Sequence, residues 1–317
     1  MNKRKFKVLV TGGSGYIGGN LIRFLNGTGV VSTTAAGRKP CAQEGVENII
    51  VKDLSRTSLG NIMRKGGFDA VIHLAAFGVQ PSDRDIEQLI NINHILPVDV
   101  VLLCRETGVK NIIFAGSNSE YRDLQEKRRV TESDTLTDSL YGGSKASGIL
   151  MALSLARHFQ ISAVSLRIFN VYGPGEAEHR LSSSLFSSLK KGEAVDLSPG
   201  LQIRDFIYID DVCHGIWKTL LALDDDGKLS GVYNLCTGVG TTVRDFALLF
   251  AKKMGLSSDL LKFGSLDMRQ GENMYLVGDN ALLKKKVGWE AKTTLRIGIE
   301  KTILKINMKG SEDHEKK

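Results

Sequence analysis

A tyrosine and a lysine, Tyr141 and Lys145, stand four positions apart in the chain. On an α-helix this spacing places both side chains on the same face, one turn apart. A nearby ammonium group favours the phenolate and lowers a phenol pKa from its ordinary value of about 10. The pair could therefore exchange a proton with a substrate oxygen nearer to neutral pH, although the same spacing also occurs on helices with no catalytic role.

Ser117 is the third candidate catalytic residue, because it follows the apolar, strand-like run Ile112–Ala115. Side chains just beyond the carboxyl ends of parallel strands line the crevice in which ligands bind. The Ser117 hydroxyl could hydrogen-bond a carbonyl or carbinol oxygen while Tyr141 exchanges the proton of that oxygen. A nicotinamide cofactor would exchange the accompanying hydride.

The elements that must position these side chains begin with a glycine-rich segment, Thr11–Gly18, directly after the apolar run Val8–Val10. Gly12 permits a tight turn, Gly15 lets the backbone approach a pyrophosphate, and Gly18 lets a helix pack closely on a strand. The N-terminus of the helix that follows presents unpaired N–H groups and partial positive charge. The segment therefore predicts the start of a βαβ unit that binds a dinucleotide.

Strand-like and helix-like segments alternate along the first half of the chain, which is typical of a parallel sheet with crossover helices. The predicted strands are Lys7–Val10, Val31–Ala35, Asn48–Val51, Ala70–His73, Asn111–Ala115 and Ala163–Ile168. The predicted helices lie near Tyr16–Leu25, Leu59–Lys65, Asp85–Thr107 and Leu140–His158. Both lists predict an α/β fold with a doubly wound parallel sheet.

After Asn170 the alternation becomes irregular, with turn signals at Gly173–Gly175 and Ser198–Gly200. We therefore expect a smaller C-terminal α/β lobe that is interleaved with strands returning to the sheet. The nucleotide domain would comprise residues 1–170, completed by elements within about 205–236. Residues 171–204 and 237–317 would form the substrate lobe.

Bulk composition excludes several classes of function. The 317 residues carry a net charge of +7, but no basic patch studded with aromatic residues suggests nucleic acid as a partner. The 4 cysteines have no metal-ligand spacing. Apolar runs fall short of the ~20 residues that span a bilayer. We expect a reduced, cytoplasmic protein with neither a metal nor a membrane partner, in which the positive charge favours an anionic cofactor and substrate.

Taken in order, the motifs of nearly the whole chain resemble the extended short-chain dehydrogenases/reductases, specifically the NAD-dependent epimerase/dehydratase family of nucleotide-sugar enzymes. Besides the glycine turn and the Tyr141/Lys145 pair, the resemblance includes Asp53-Leu54, His73–Ala76, Asn93, Phe114–Tyr121, Arg167–Gly175, Arg204–Val212 and Arg269–Glu272. It implies a Rossmann fold, a nucleotide-diphosphate sugar as substrate and a homodimer through the helix Leu140–His158.

The resemblance also assigns roles to individual residues. The catalytic residues would be Ser117, Tyr141 and Lys145. The cofactor would contact Gly12, Gly15, Tyr16, Ile17, Gly18, Arg38, Asp53, Leu54, Leu74, Ala75, Ala76, Asn93, Tyr141 and Lys145. The substrate would contact Ser117, Ser119, Asn170, Arg204 and Arg269, the two arginines being suited to bidentate binding of a diphosphate. For Arg204 an ion pair between neighbouring segments is the plainer alternative.

The family divides by what accompanies the catalytic residues. The 4,6-dehydratases carry a glutamate two positions beyond the catalytic serine or threonine, and the GDP-fucose synthase type carries a cysteine there; this chain has Ser119. Glu120 is next, and on an extended segment its side chain would point the opposite way. Dehydration and epimerisation beside the carbonyl are therefore disfavoured. His179 has a titration range suited to such acid–base work, but a lone loop histidine more often has no such role.

Two reactions remain: a 4-epimerisation with retained NAD, and a one-way 4-keto reduction with NADPH. Where NAD-preferring members end the second strand with an acidic residue, this chain has Ala36, followed by Arg38 and Lys39. No carboxylate repels a 2′-phosphate there, and Arg38 can pair with one, so we expect NADPH rather than NAD.

The segments Gln202–Ile207, Thr237–Thr242 and Phe263-Gly264 further resemble the CDP-abequose synthase-like 4-ketoreductases. Those enzymes reduce a nucleotide-linked 4-keto-6-deoxyhexose in deoxysugar biosynthesis for surface polysaccharide such as lipopolysaccharide. The resemblance therefore favours the ketoreductase.

Overall fold

The computed structural model describes residues 4–79, 83, 85–226 and 229–315. Seven parallel strands form the central sheet in the order β10-β6-β5-β4-β1-β2-β3. Their bounds are β1 Phe6–Thr11, β2 Val31–Gly37, β3 Glu47–Ile50, β4 Ala70–His73, β5 Asn111–Ser117, β6 Ser162–Ile168 and β10 Gly231–Leu235. The strand order reverses beside β1, which is the switch point of a doubly wound sheet. The predicted α/β Rossmann fold is confirmed.

Helices cover both faces of this sheet. They are α1 Tyr16–Gly27, α2 Arg56–Gly66, α3 Ile86–Gln88, a π-helix Leu89–Ile95, α4 Leu96–Thr107, α5 Leu140–His158 and α7 Ile209–Asp226. Successive residues of β1 point to opposite faces. Val8 and Val10 join one core cluster with Leu21 of α1, and Leu9 joins the other with Val100 of α4.

Local sequence signals explain where these helices begin and end. Ser55 caps α2 by accepting a hydrogen bond from the Ser58 N–H, so α2 begins at Arg56 rather than at the predicted Leu59. Gly67 follows the last residue of α2 as its C-cap, and the left-handed conformation at this position (φ 58°) favours glycine. The predicted helix Asp85–Thr107 starts one residue later, at Ile86, and contains the π-helix, a feature that often marks functional sites.

One helical stretch, Ile86–Thr107, is long and apolar enough to cross a membrane by length and composition alone. Its residues Leu96, Val100, Leu103 and Cys104 are buried in the core beneath the sheet. The same hydropathy is therefore accounted for by a core helix.

The C-terminal part of the chain builds a second, smaller sheet around β9 (Ile203–Tyr208). This strand pairs in parallel with β7 (Asn170–Tyr172) and β13 (Tyr275–Leu276), and antiparallel with β11 (Gly240–Thr242). A separate pair joins β8 (Val195–Leu197) to β12 (Leu261–Phe263). The remaining helices are α6 Leu181–Lys190, α8 Val243–Met254, α9 Ala281–Val287 and α10 Leu295–Glu315.

Between β9 and β11 the chain returns to the large sheet through α7 and β10. The two sheets thus meet along the carboxyl ends of the central strands, and both can contribute to one site.

Candidate active site

The glycine turn between β1 and α1 is packed backbone against backbone. Gly12 has a positive φ of 73°, and a Cβ there would lie 2.8 Å from the Ala75 nitrogen. A Cβ on Gly18 would lie 2.2 Å from the Gly12 oxygen. The turn is also tied to the segment after β4, because the Leu74 N–H donates to the Thr11 oxygen at 3.1 Å. Leu74, Ala75 and Ala76 follow β4 directly and are each half-buried.

The N-terminus of α1 is left open at this turn. Its N-cap, Gly15, has no side chain to accept from the first-turn N–H groups, and no acidic residue lies in that turn, where Tyr16 and Ile17 stand. A cavity of about 460 Å³ opens beside it, lined by Gly15, Tyr16 and the cations Arg23 and Lys305. Unpaired N–H groups, a glycine cradle and nearby cations fit the diphosphate of a dinucleotide.

Arg38 lies immediately past the end of β2, whose Ala36 is paired in register with Thr11 at the end of β1. Its side chain is exposed, and among the residues that the structure describes it has no ion-pair partner. The structure thus places a free guanidinium one strand away from the glycine turn, with no carboxylate at the strand end. This arrangement fits a cofactor that carries an extra phosphate.

Asp53 and Leu54 lie in the connection between β3 and α2. The Asp53 Oδ1 atom accepts from the Ser55 N–H and the Ser58 hydroxyl, each at 3.0 Å. The Ser55 hydrogen bonds hold the pKa of this exposed carboxyl below its ordinary value. Leu54 packs against the core cluster beneath the sheet. Contact of either residue with a cofactor stays a prediction.

Asn93, in the π-helix, holds the segment after β4 in place. Its Oδ1 accepts from the Phe77 N–H at 2.9 Å, and its Nδ2 donates to the Phe77 oxygen at 2.8 Å and to the Ser144 hydroxyl at 3.0 Å. Both amide hydrogens are therefore used by the protein itself. The observed contacts make Asn93 a link between the cofactor-side segment and α5.

Ser117 and Tyr141 come together across two elements. Ser117 ends β5, and its hydroxyl accepts from the Ser119 N–H at 3.1 Å as the N-cap of a 3₁₀ turn, Asn118–Glu120. Tyr141 lies in the first turn of α5, and its phenol lies close enough to the Ser117 hydroxyl for that group to oppose the rise of the Tyr141 pKa. One substrate oxygen can therefore be reached by both hydroxyl groups.

The expected lowering of the Tyr141 pKa by Lys145 is wrong for this structure. Burial raises the pKa of Tyr141, Glu120 adds to the rise, and Ser117 and Arg180 oppose it. The Lys145 ammonium donates instead to the Ala115 oxygen at 2.6 Å. The phenol is therefore held in its protonated form, ready to donate.

Lys145 is only 6% exposed. Burial lowers the pKa of Lys145, and the nearby Glu120 carboxylate opposes that change. Behind it, His73 at the end of β4 shares a 2.8 Å hydrogen bond with the Thr11 hydroxyl, while its Nε2 has no hydrogen-bonding partner among the described residues. Burial, reinforced by the Lys145 charge, lowers the pKa of His73 to about 3, so this imidazole is neutral.

Glu120 faces away from the open site, but not for the predicted reason. Residues 118–120 form a 3₁₀ turn rather than an extended segment, so side-chain alternation along a strand does not apply. The carboxylate is fully buried and pairs with Arg167 of β6 at 2.8 Å. Ser119 therefore remains the residue at the position where dehydratases would carry glutamate, and it is half-buried beside Ser117.

The predicted substrate residues approach the site from the second sheet. Asn170 begins β7, and its Oδ1 accepts from the Asn118 Nδ2 at 2.9 Å, next to Ser117. Arg204 of β9 forms an ion pair with Glu272, the alternative that the sequence left open. Arg269 is exposed and lies in the same turn as Glu272, whose N–H donates to the Arg269 oxygen at 3.1 Å. His179 is exposed in the segment before α6.

Sequence reasoning missed the buried partners of this site. Arg167 was quoted only as part of a motif, although a cation inside an otherwise uncharged, buried strand, Ser162–Ile168, requires a buried counter-charge. Asp205 was missed too: its carboxylate accepts from the Thr237 N–H and hydroxyl at 2.8 and 2.7 Å and from the Gly238 N–H at 2.8 Å. It thereby fixes the turn after β10 against β9.

Comparison with known proteins agrees with this geometry. CDP-abequose synthase of Salmonella typhimurium is 27% identical over 94% of this chain and 98% of its own length. A Thermus thermophilus UDP-glucose 4-epimerase solved with NAD is 25% identical, with a TM-score of 0.84 over 95% of this chain and 99% of its own. MoeE5, solved with UDP-glucuronic acid and NAD, is 28% identical, with a TM-score of 0.82 over 96% and 99%.

The sequence profile of the NAD dependent epimerase/dehydratase family matches residues 8–236, from the first strand through the return to the large sheet. That span contains the glycine turn, Ser117, Tyr141 and Lys145. The predicted resemblance and the enzyme assignment are confirmed. The chain belongs to the NAD-dependent epimerase/dehydratase family and is a nicotinamide-dependent nucleotide-sugar enzyme.

Proposed function

We propose that this enzyme is an NADPH-dependent 4-ketoreductase that acts on a nucleotide-linked 4-keto-6-deoxyhexose in deoxysugar biosynthesis. The observation that carries the proposal is the end of β2. Arg38 stands there exposed and without an acidic neighbour at the strand end, beside a glycine turn that fits a dinucleotide. NADPH, which carries this extra phosphate, suits net reduction. Its oxidised form leaves the enzyme after each turnover, and a new reduced molecule replaces it.

The protonated state of Tyr141 supports the same direction. Reduction of a ketone needs a proton donor at the oxygen, and burial keeps this phenol protonated at neutral pH. A bound nicotinamide would supply the hydride. The residues of the chain orient the ketone: the Ser117 hydroxyl donates to its oxygen, and Tyr141 delivers the proton to that same atom.

Lys145 has a separate task beside the tyrosine. In the structure its ammonium is held by the Ala115 oxygen at 2.6 Å, at the end of the strand that carries Ser117. Its charge at this edge of the sheet suits a cofactor ribose.

The other predicted reactions have less support from these residues. Dehydration needs a carboxylate free to remove a proton, whereas Glu120 is buried against Arg167 and the position of the dehydratase glutamate holds Ser119. Epimerisation beside the carbonyl would depend on His179, which is exposed in a loop. Asn170 and, once released from Glu272, Arg204 would anchor the diphosphate, with Arg269 nearby.

The proposal also assigns the cofactor and the nucleotide sugar to different parts of the chain. Residues 1–170, with the returning elements of about 205–236, would hold the cofactor, and residues 171–204 and 237–317 the nucleotide sugar. It also includes a homodimer through α5, whose Leu140, Leu150 and Met151 are 59%, 63% and 47% exposed.

The test is to incubate the purified enzyme with NADPH or NADH and a panel of nucleotide 4-keto-6-deoxy sugars, following loss of the reduced-nicotinamide absorbance. We expect turnover with NADPH, and Arg38→Ala should weaken NADPH binding while leaving NADH unchanged. A lost charge-assisted hydrogen bond of about 1.5–3 kcal/mol corresponds to roughly 10- to 150-fold in KM. Lys39→Ala is the matched control one residue away.

The alternative is a 4-epimerase with retained NAD, which the similarity to the Thermus thermophilus epimerase favours. Protein that purifies with NAD and interconverts C4 epimers without added cofactor would establish it. Equal use of NADH and NADPH by the wild type, with no effect of Arg38→Ala, would refute the NADPH preference, and no turnover of any keto sugar with either cofactor would refute the reductase proposal.

A further inference from the structure

Glu120 and Arg167 form a buried ion pair directly behind the catalytic serine. Glu120 is 0% exposed and Arg167 5%, and the Nε–Oε2 distance is 2.8 Å. Charges are rarely buried unless they are paired and hydrogen-bonded, because removal from water is costly. A packed apolar pair would fill this space without that penalty, so the pair calls for an explanation.

The second carboxylate oxygen of Glu120 contacts the backbone behind the catalytic serine. Its Oε1 accepts from the Ser117 N–H at 2.7 Å, and a Cβ on Gly116 would lie 2.9 Å from the same oxygen. The carboxylate therefore lies against the last residues of β5. It fixes the backbone of Ser117, whose hydroxyl lies beside the Tyr141 phenol.

The other side of the pair is anchored in the core. The Arg167 guanidinium lies 4.5 Å from the centre of the Tyr121 ring, and its Nη1 donates to the Glu132 oxygen at 3.3 Å. The Tyr121 hydroxyl donates to Asn234 of β10 at 2.6 Å. The carboxylate of Glu120 is held by β5 and β6, and Tyr121, which lies beneath the Arg167 guanidinium, is held by β10, so the carboxylate has little freedom to move.

The Glu120 charge also acts on both catalytic groups of α5. It raises the pKa of Tyr141 and opposes the lowering of the Lys145 pKa by burial. Arg180, in front of α6, also acts on Tyr141 and opposes the rise of its pKa, and Asp83 lies beside Gly78, next to the Tyr141 ring. Residues 74–79, which approach the Tyr141 ring through Gly78, carry no titratable side chain, and the neutral His73 faces Lys145. Among the described residues, Glu120 is thus a negative charge that acts on both catalytic groups of α5.

We propose that Glu120, clamped by Arg167, is a positioning residue for the reaction: it fixes the Ser117 backbone and places a buried negative charge behind Tyr141 and Lys145. The inference rests on the proposed function only in that Tyr141 is the proton donor. Glu120 itself touches neither substrate nor cofactor.

The test compares Glu120→Gln, which keeps an acceptor for the Ser117 N–H and removes the charge, with the wild type. Tyr141 is titrated through its phenolate absorbance, isolated by subtracting the same protein with Tyr141→Phe. We expect the titration to move to lower pH, and the alkaline limit of reductase turnover to move with it. The absorbance measurement needs no substrate, so it decides the inference even if the proposed reaction is wrong.

Two further variants keep the test decisive. Glu120→Gln leaves Arg167 buried without its partner, so the double variant Glu120→Gln/Arg167→Met removes both charges and should titrate at the same lowered pH. Glu132→Gln is the matched control, since it loses a carboxylate of the same buried network that faces Asn234 rather than Tyr141. If the folded double variant titrates Tyr141 at the wild-type pH, Glu120 is only structural and the proposal is overturned.

Discussion

Substitution of Gly18 by alanine tests whether the glycine turn is a cofactor cradle. Gly18 lies in the first turn of α1, and a Cβ there would lie 2.2 Å from the Gly12 oxygen and 2.8 Å from the Gly13 Cα. Both neighbours are backbone atoms, so no flexible side chain can move aside. Gly18→Ala must therefore displace the turn itself.

The expected magnitude follows from that displacement. The turn has to retreat by about 0.8 Å to reach even 3.0 Å, below which such contacts are essentially never observed. Overpacking of this kind costs about 1–3 kcal/mol, and the better helix propensity of alanine returns about 1 kcal/mol. Loss of a backbone hydrogen bond to a phosphate costs about 1.5–3 kcal/mol, or roughly 10- to 150-fold in dinucleotide Kd.

The assay is calorimetric titration of the dinucleotide together with thermal unfolding. The matched control is Gly27→Ala at the end of the same helix, where a Cβ would meet nothing within 4 Å. That variant should keep the wild-type Kd and gain about 0.5–1 kcal/mol of stability. If Gly18→Ala binds the dinucleotide as tightly as Gly27→Ala does, the turn is not the cofactor cradle.

Three further outcomes follow from the structure. Tyr141→Phe should keep dinucleotide affinity and lose about 10²- to 10⁴-fold in kcat, whereas near-normal turnover would exclude it as the proton donor. Burial raises the pKa of Glu176 from 4.5 to about 7, so its ionisation destabilises the fold as pH rises between those values. The difference in melting temperature between Glu176→Gln and the wild type should therefore increase in favour of the variant from pH 5 to 7 and stay constant above pH 7. A difference that does not depend on pH would contradict this. Leu150→Glu should yield monomers by light scattering, and an unchanged dimer would exclude the exposed face of α5 as the interface.

Much of the large sheet could be predicted from the sequence because its elements repeat simple patterns. The helix Leu140–His158 and the strand Ala70–His73 have the predicted bounds. Serine and glycine caps are short-range signals that mark helix ends. The cap at Ser55 was nevertheless overlooked, so the predicted helix began at Leu59 and missed the first turn of α2. Interruption of the helix by the π-helix at Leu89–Ile95 was not predicted, since an extra residue per turn leaves little trace in hydrophobic spacing.

The electrostatics of the site could not be predicted from local sequence. Arg204 and Glu272 lie 68 positions apart, and Arg167 and Glu120 lie 47 apart, so each pairing depends on how the strands are ordered in space. The direction of the Tyr141 pKa shift was predicted wrongly for the same reason, because burial outweighs the other contributions and raises it. Spacing along a helix gives proximity, but burial by other elements decides which charge a phenol experiences.

The separation between α5 and the rest of the site is set by two glycines rather than by Tyr141 and Lys145. A Cβ on Gly142 would lie 1.9 Å from the Ser119 oxygen, and a Cβ on Gly148 would lie 2.2 Å from the Asn93 oxygen. The helix therefore contacts the turn after Ser117 at one point and the π-helix at another, backbone to backbone. Two such contacts fix both its distance and its rotation, so the Tyr141 hydroxyl is directed at Ser117 by the packing of a helix that larger side chains would push away.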